Sequence, residues 1–305
     1  MHALKSGDLL VSLTGNVGRV ALLKEEFLPA SLNQRVACLR IKNENVINKS
    51  FLFNYLNSDF FEQKCINASN GVAQKNMSTE WLKNYDIPTF LISKQKYISN
   101  ILDKVNSLIS FRKQQLSKLD ELIKSRFIEM FMDQNCKDKY PLKLWKNVVT
   151  IKHGKDYKKN IAQIGGYPVY GSGGFMNVYA DKYLVEENAT IIGRKGTIDR
   201  PLFVNEKFWN VDTAFAIVVN KEILNPVFFY IRSTMYDLKS MSTSTTLPSM
   251  TKDILEKIEI GIPPISLQNE FAEFVKLIDK SKFKIQKSLE MLEMLKKSQL
   301  QKYFG

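Results

Sequence analysis

Histidine is nearly absent: His2 and His153 are the only two in 305 residues. Cysteine is scarce as well, and Cys38, Cys65 and Cys136 stand far apart without a Cys-x-x-Cys pair. A zinc site needs clustered His and Cys ligands, so no metal is expected. An odd number of isolated thiols suits a reducing compartment, and the expected location is cytoplasmic. No apolar run reaches the ~18 residues that a membrane span requires. The opening residues, Met1 to Lys5 and then Asp8, lack the apolar core of a signal peptide.

What the chain does have is positive charge and aromatic rings. The formal net charge is +13, with 12 Tyr and 19 Phe. Excess Lys and Arg point to a polyanionic partner, because they gain free energy by displacing phosphate counterions. DNA, RNA and an acidic protein all fit that description. At 44% hydrophobic and 25% charged residues the chain is otherwise ordinary and globular, and long enough for two domains.

The most informative feature is an internal repeat. Asn76 to Ile87 echoes Ser249 to Ile260, with Met77 and Met250 standing 173 residues apart. That offset then holds without a gap: Gln95 meets Gln268, Leu116 meets Leu289, Ser125 meets Ser298 and Phe131 meets Phe304. Upstream, Asn33 to Ala37 faces Asn210 to Ala214, and Phe51 to Phe53 faces Phe228 to Tyr230, at 177. Gly15-Asn16-Val17-Gly18 pairs with Gly193-Arg194-Lys195-Gly196 at 178. The second copy runs from Tyr140, whereas the first lacks a counterpart of Tyr140 to about Asp181. The first copy therefore reads as truncated at its N-terminus.

Each copy ends in a long helix. From Lys94 to Met132, Ile98, Leu102, Val105, Ile109, Leu116, Leu119 and Ile123 recur at spacings built from threes and fours, with no Pro or Gly between them. Ser266 to Phe304 repeats the pattern through Phe271, Val275, Ile278, Ile285, Leu289 and Leu292. Pro88 and Pro263-Pro264 precede the two helices, and Ser93 and Ser266 are the expected N-caps. At a rise of 1.5 Å per residue each helix is about 55–60 Å long, too long to bury its stripe on a small domain alone. Pairing of the two as an antiparallel coiled coil solves this. Ala189 to Gly193 and Thr213 to Val219 read as strands, and Asn225-Pro226 as a capped helix start. The expected fold is thus a duplicated α/β (α+β) module, each copy followed by a long helix. The segments are 1–93 (partial first module), 94–132 (central helix), 140–264 (complete second module) and 265–305 (C-terminal helix).

Several patterns invite catalytic readings that the sequence does not support. Asn225-Pro226-Val227-Phe228 approaches a methyltransferase motif, but its repeat partner Asn48-Lys49-Ser50-Phe51 lacks the proline, and a helix cap explains both. Gly171-Ser172-Gly173-Gly174 has neither a following helix nor an acidic ribose partner, so it reads as a tight turn and no cofactor is expected. Asp59, Glu62 and Lys64 imitate a nuclease site but fall on an amphipathic helical pattern.

Two modules, each followed by a long helix and duplicated in one chain, resemble the specificity (S) subunit of type I restriction-modification systems. The resemblance rests on Tyr167 to Gly174, Ile192 to Ile198, Asn210 to Phe215 and Ile260 to Pro264, in that order, followed by Leu267-Gln268 and the leucine-rich helix. It implies target-recognition domains that each read one half of a split site in double-stranded DNA. It further implies spacer helices that hold two methyltransferase (M) subunits, and restriction (R) subunits that cleave. Adenine methylation and ATP-dependent cleavage would belong to those partners, leaving this chain without catalytic residues. The expected DNA contacts in the second module are Lys155, Lys158, Lys159, Tyr170, Ser172, Arg194, Lys195, Arg200, Ser244 and Thr245. In the first they are Arg19, Gln34, Arg35, Gln74 and Lys75. Cationic groups would hold phosphates and polar ones would reach base edges. The alternative is a coiled-coil scaffold whose basic surface meets acidic proteins, although a scaffold has no need of duplicated modules.

Overall fold

Leu9, Val11 and Leu13 are buried and alternate with less buried neighbours, the period-two pattern of a strand covered on one face. They form β1 (Leu9–Ser12), which lies between β2 (Val20–Leu22) and β3 (Val36–Leu39) in an antiparallel sheet. Three helices follow: α1 (Lys49–Leu56), α2 (Asp59–Asn67) and α3 (Thr79–Lys83). The side chains of Asn48, Ser58 and Ser78 accept main-chain N–H bonds at their starts. Asp59, Glu62 and Lys64 lie on α2, so they sit on one helix. Next comes the 40-residue α4 (Ile92–Phe131).

The second module begins with β4 (Leu142–Leu144) and continues through β5 (Val149–His153), β6 (Tyr167–Gly171), β7 (Gly174–Ala180) and β8 (Ala189–Gly193). It is completed by β9 (Leu202–Val204), β10 (Trp209–Asn210), β11 (Ala214–Val219), α5 (Pro226–Ser233), α6 (Lys252–Glu256) and β12 (Glu259–Gly261). The 40-residue α7 (Ile265–Phe304) ends the chain. The sheets run β5-β11-β8-β9, β10-β6-β7 and β12-β4. This is a computed structural model describing residues 3–71, 75–242 and 249–305; Gln74, Ser244 and Thr245 lie outside the described residues. Among the described residues no helix is long and apolar enough to cross a membrane.

The chain divides into two units, Met1–Leu116 with Lys284–Gly305, and Ser117–Phe283. Each unit contains one module, the start of one long helix and the end of the other. In the second unit Lys282 meets Asp120 at 2.6 Å and Arg126 lies 3.7 Å from Glu270, so numbers rise on one helix as they fall on its neighbour. In the first unit Lys113 meets Glu293 at 3.1 Å. The helices are an antiparallel pair, as their apolar stripes require.

The repeat explains how both cores close. In the second unit Phe131 packs edge-on to Phe228 at 4.9 Å, and Phe127 stacks on Phe228 at 5.2 Å. In the first unit Phe304, the repeat partner of Phe131, packs edge-on to Phe51, the partner of Phe228, at 5.4 Å. Equivalent rings thus do equivalent work, each supplied by the end of the helix that belongs to the other copy.

The serines expected to cap the long helices do not do so. Both helices begin one residue earlier, at Ile92 and Ile265, which places Ser93 and Ser266 inside the first turn. A buried glutamine organises each start instead. Gln268 Oε1 accepts from Asn225 N at 2.9 Å, and its Nε2 donates to the carbonyls of Ile223 (3.0 Å) and Pro263 (2.8 Å). Gln95 repeats this on Asn48 N (2.8 Å), Val46 O (3.0 Å) and Phe90 O (2.8 Å). Both glutamines are fully buried, and each amide satisfies main-chain groups that would otherwise be left bare.

Main-chain bonds also set the true register of the repeat. Leu13 N donates to Arg35 O as Arg194 N donates to Thr213 O, and Met77 N donates to Leu13 O as Met250 N donates to Arg194 O. Strand pairing of Leu10 with Ala21 matches that of Ile191 with Leu202. The β1–β2 and β8–β9 loops are therefore offset by 181 residues, not 178. Gly15 corresponds to Gly196, both at positive φ (72° and 78°), buried Val17 corresponds to Ile198, and Arg19 to Arg200. The match of Gly15 to Gly193 followed glycine spacing alone. Gly193 has a different role, because a Cβ there would lie 2.0 Å from the Thr197 carbonyl oxygen.

Two ion pairs pin the modules internally. Arg232 Nη2 lies 3.0 Å from Asp138 Oδ2, with side chains 11% and 9% exposed, and the guanidinium sits 4.0 Å above the Tyr236 ring. In the first module Arg40 grips Asp8 through both Nε (2.7 Å) and Nη2 (2.6 Å), and Lys5 N adds a third bond at 2.8 Å. The Arg40 guanidinium holds the Asp8 carboxyl well below the usual carboxylate range, against the opposing effect of burial. A depressed folded-state value means that the contribution is complete above the unfolded Asp value of about 3.9 and is lost as pH falls below it. The stability gap between wild type and Asp8→Asn should hold constant from about pH 7 to 5 and narrow below about pH 4. Urea unfolding across that range measures it; a gap that stayed constant down to about pH 2 would remove Asp8 from the acid response.

Candidate nucleic-acid interface

Loops from three parts of the second module line one open recess of about 650 Å³, and a fourth bonds to its edge. Asp156, Tyr157 and Lys158 line it from the β5–β6 connection, Gly171 to Met176 from the β6–β7 turn, and Val211, Asp212 and Thr213 from the β10–β11 turn. The β8–β9 loop joins through main-chain bonds, as Arg194 N and Lys195 N both donate to Thr213 O, at 2.8 and 3.2 Å. Ser172 sits against this loop: a Cβ on Gly196 would lie 3.3 Å from its Oγ, and one on Gly193 3.0 Å from its Cβ. A bridge between Lys195 and Ser249 brings the chain at Ser249 to the same place.

Local sequence explains the geometry. Lys158 N donates to Asp156 Oδ1 at 3.0 Å, an Asx bond that turns the chain into the short helical turn Lys158–Asn160. Ser172-Gly173 form a two-residue hairpin loop between paired Gly171 and Gly174. Beyond Gly173 and Gly174 no atom lies within 4 Å of a built Cβ, so this turn offers bare backbone to a ligand. Lys155 N donates to Asn210 O at 3.0 Å, and Lys155 O accepts from Trp209 Nε1 at 2.8 Å; the side chain is left exposed.

Of the residues expected to meet DNA, Lys158 and Ser172 line the recess, and Lys155, Lys159, Arg194 and Lys195 stand on the segments that form it. Arg200 is exposed at the far end of the β8–β9 loop. Tyr170 lies elsewhere: its ring packs near Phe175 and Phe208, and its hydroxyl donates to Glu206 at 3.3 Å. Burial, and then the Glu206 carboxylate, push its hydroxyl pKa up. The reading from residue type missed Asp156, Tyr157, Asp212 and Thr213. Asp212 was inside a quoted repeat motif, but a search for cations passes over a carboxylate.

The first module builds the corresponding part of this edge from the β1–β2 loop, the turn before β3 and the chain at Lys75-Asn76, with no counterpart of the Asp156–Lys158 segment or the β6–β7 turn among the described residues. Gly15 N donates to Lys75 O at 3.0 Å, Thr14 bridges Asn76, and Leu13 N donates to Arg35 O at 2.8 Å. Gln34 and Arg35 are exposed on a turn closed by Val36 N donating to Asn33 O, with Asn33 Oδ1 accepting from Arg35 N at 2.8 Å. Arg19 is exposed, 3.9 Å from an exposed Glu62, a loose pair of little energetic weight.

The family described as "Type I restriction modification DNA specificity domain" matches residues 2–121 and 143–293. The "Type I restriction enzyme MjaVIII specificity subunit" of Methanocaldococcus jannaschii is 30% identical over 122 residues, which is 39% of this chain and 28% of that protein. The chain thus matches well under two thirds of that relative. The "Putative type I restriction enzyme MjaX specificity subunit" of the same organism is 26% identical over 328 aligned positions, 95% of this chain and 76% of that protein. The crystal structure of the type I restriction-modification S subunit from M. genitalium superposes with a TM-score of 0.61 at 18% identity, covering 98% of this chain and 83% of that one. With the family matched twice, over most of the chain, and the duplicated fold shared, the protein belongs to the type I restriction-modification DNA specificity family.

Proposed function

We propose that this chain is the DNA-specificity subunit of a type I restriction-modification complex and carries out no chemistry of its own. The observation that supports this best is the recurrence, at the same edge of both modules, of the β1–β2 and β8–β9 loops with the turns that bond to them, cationic and punctuated by glycine. A chain that must read a bipartite site needs two such edges, and the family supplies the class of ligand. Lys158, Arg194, Lys195 and Arg200 serve phosphates in the second module, with Arg19, Arg35 and Lys75 in comparable places in the first. Phosphate contacts fix position, while the recess side chains reach base edges. The antiparallel helices hold the partners, which are two methyltransferase subunits that methylate adenine and restriction subunits that cleave DNA with ATP.

Electrostatic binding has a measurable signature: log K falls with log salt by about 0.9 per phosphate contact on duplex DNA. Replacing Arg194 and Lys195 together by Ala should reduce the slope by about 1.8 and weaken binding to all sequences alike. Filter retention of the complex with methyltransferase subunits, at several salt concentrations, reads this directly. Salt-independent affinity of the wild type, or no retention at all, would refute the proposal. Incubation of the chain alone with a labelled methyl donor and DNA should give no transfer, and appreciable transfer would overturn the non-catalytic reading.

A further inference from the structure

Strand pairing also moves the match of Asn33–Ala37 by one residue, from an offset of 177 to 178, and so places two side chains of particular type at one position. In the first module a turn closes with Val36 N donating to Asn33 O; in the second the turn closes with Ala214 N donating to Val211 O, at 3.0 Å. Both turns feed directly into the strand that pairs with the loop-bearing one, Ser12 opposite Val36 and Gly193 opposite Ala214. The residue after the first turn position is therefore Gln34 in one module and Asp212 in the other. Both are exposed.

A carboxylate in this place requires explanation. The recess is lined by Lys158 and by two carboxylates, Asp156 and Asp212, with the Arg194-Lys195 loop bonded to Thr213 at its border. Asp156 has a local role, since its Oδ1 accepts from Lys158 N at 3.0 Å. A phosphate-binding edge gains nothing from a negative charge, which repels the backbone it must approach. Asp212 is not an ion-pair partner of Arg194: the guanidinium Nη1 lies 3.5 Å from the Asp212 carbonyl, and no salt bridge to its carboxylate is present among the described residues. Its repeat partner Gln34 occupies the same turn position without a charge, so the turn itself does not require one. What Asp and Gln share is the ability to read base edges, with different outcomes. A carboxylate accepts from the N4 amino group of cytosine, whereas a glutamine amide pairs with N6 and N7 of adenine.

We infer that Asp212 and Gln34 are the equivalent specificity-determining residues of the two modules, Asp212 reading a cytosine in one half-site and Gln34 an adenine in the other. The inference rests on the chain being a DNA-specificity subunit. The turn carries the side chain at its tip, the neighbouring loops carry the phosphate contacts, and the glycine hairpin of the β6–β7 turn leaves room for the groove edge. Other positions in each half-site are read by other residues.

The test uses the full chain with its methyltransferase subunits, and selection of bound duplexes from a library randomised in both half-sites. Wild type should show one cytosine preference that Asp212→Ala relaxes, with discrimination there falling roughly 5- to 150-fold while the remaining positions and the salt slope stay unchanged. Asp212→Gln, which imports the other module's residue into a turn that accepts it, should shift that position from cytosine towards adenine. Gln34→Ala should relax an adenine position in the opposite half-site only. An unchanged selected motif in Asp212→Ala, or weakening spread evenly over all sequences, overturns the inference and leaves the DNA-specificity reading intact. Relaxation at an adenine in Asp212→Ala overturns the assignment to cytosine. A wild-type complex that selects no sequence in either half overturns the DNA-specificity reading itself, and this inference with it.

Discussion

Arg232→Met is expected to lower stability by about 3–5 kcal/mol, because it leaves the Asp138 carboxylate buried without its counter-charge. Both side chains are about nine-tenths covered, and Arg232 also loses its position 4.0 Å over the Tyr236 ring. Asp138 lies in the link that follows α4, so the pair ties that link to α5. The pair is not an ideal one, since Arg232 Nε is buried without a hydrogen-bond partner. Two desolvated charges with an unmet donor gain little over apolar neighbours of similar shape. Arg232→Met combined with Asp138→Leu should therefore cost less than Arg232→Met alone. Urea midpoints of the two variants decide it, and a single-variant loss below about 1 kcal/mol would show the carboxylate to be hydrated.

Gln268→Met keeps the length of the side chain and removes the amide. Three main-chain groups then lose their partner: the Asn225 N–H and the carbonyls of Ile223 and Pro263. Each bare buried group costs about 1–3 kcal/mol, and partial relaxation brings the expected total to about 3–5 kcal/mol. Hydrogen exchange provides a second readout. The Asn225 amide should lose protection early, while amides in the middle of β11 keep theirs until the module unfolds as a whole. Gln95→Met should do the same to the Asn48 amide. If Asn225 kept its protection while stability fell, the loss would come from packing and not from the amide bonds.

These two sites also show what a sequence can and cannot reveal. The correspondence of Gln95 with Gln268 was visible, because from Met77 onward the repeat has no gaps and helical periodicity keeps its register. What these glutamines do was not visible, since they bond main-chain atoms that sequence comparison does not represent. The capped starts at Asn48 and Asn225 were legible because capping is local chemistry. Caps at Ser93 and Ser266 were a wrong inference from the same rule, since the first helical bonds run from Gln95 N to Leu91 O and from Gln268 N to Pro264 O and leave both serines inside the first turn.

The loops around the recess were harder to place. Glycine spacing drew Gly15 onto Gly193, three residues from the register that strand pairing enforces. Only the backbone bonds bring Arg19 onto Arg200 and Gln34 onto Asp212. Lys158, Arg194 and Lys195 were singled out by residue type, because cations near glycines are a recognisable signal, and the structure places them in or beside the recess. Asp212 carries the opposite sign and stands out only once the recess is assembled around it.

The glutamine joint has one more consequence. Its six bonds all end on backbone atoms, three in each module, so none depends on which side chains the module carries. A residue that gripped a side chain would bind the helix to one sequence, and every change in the loops around the recess would risk the attachment. A grip on the main chain is indifferent to sequence. Side chains in the loops around the recess can change while these six bonds stay as they are.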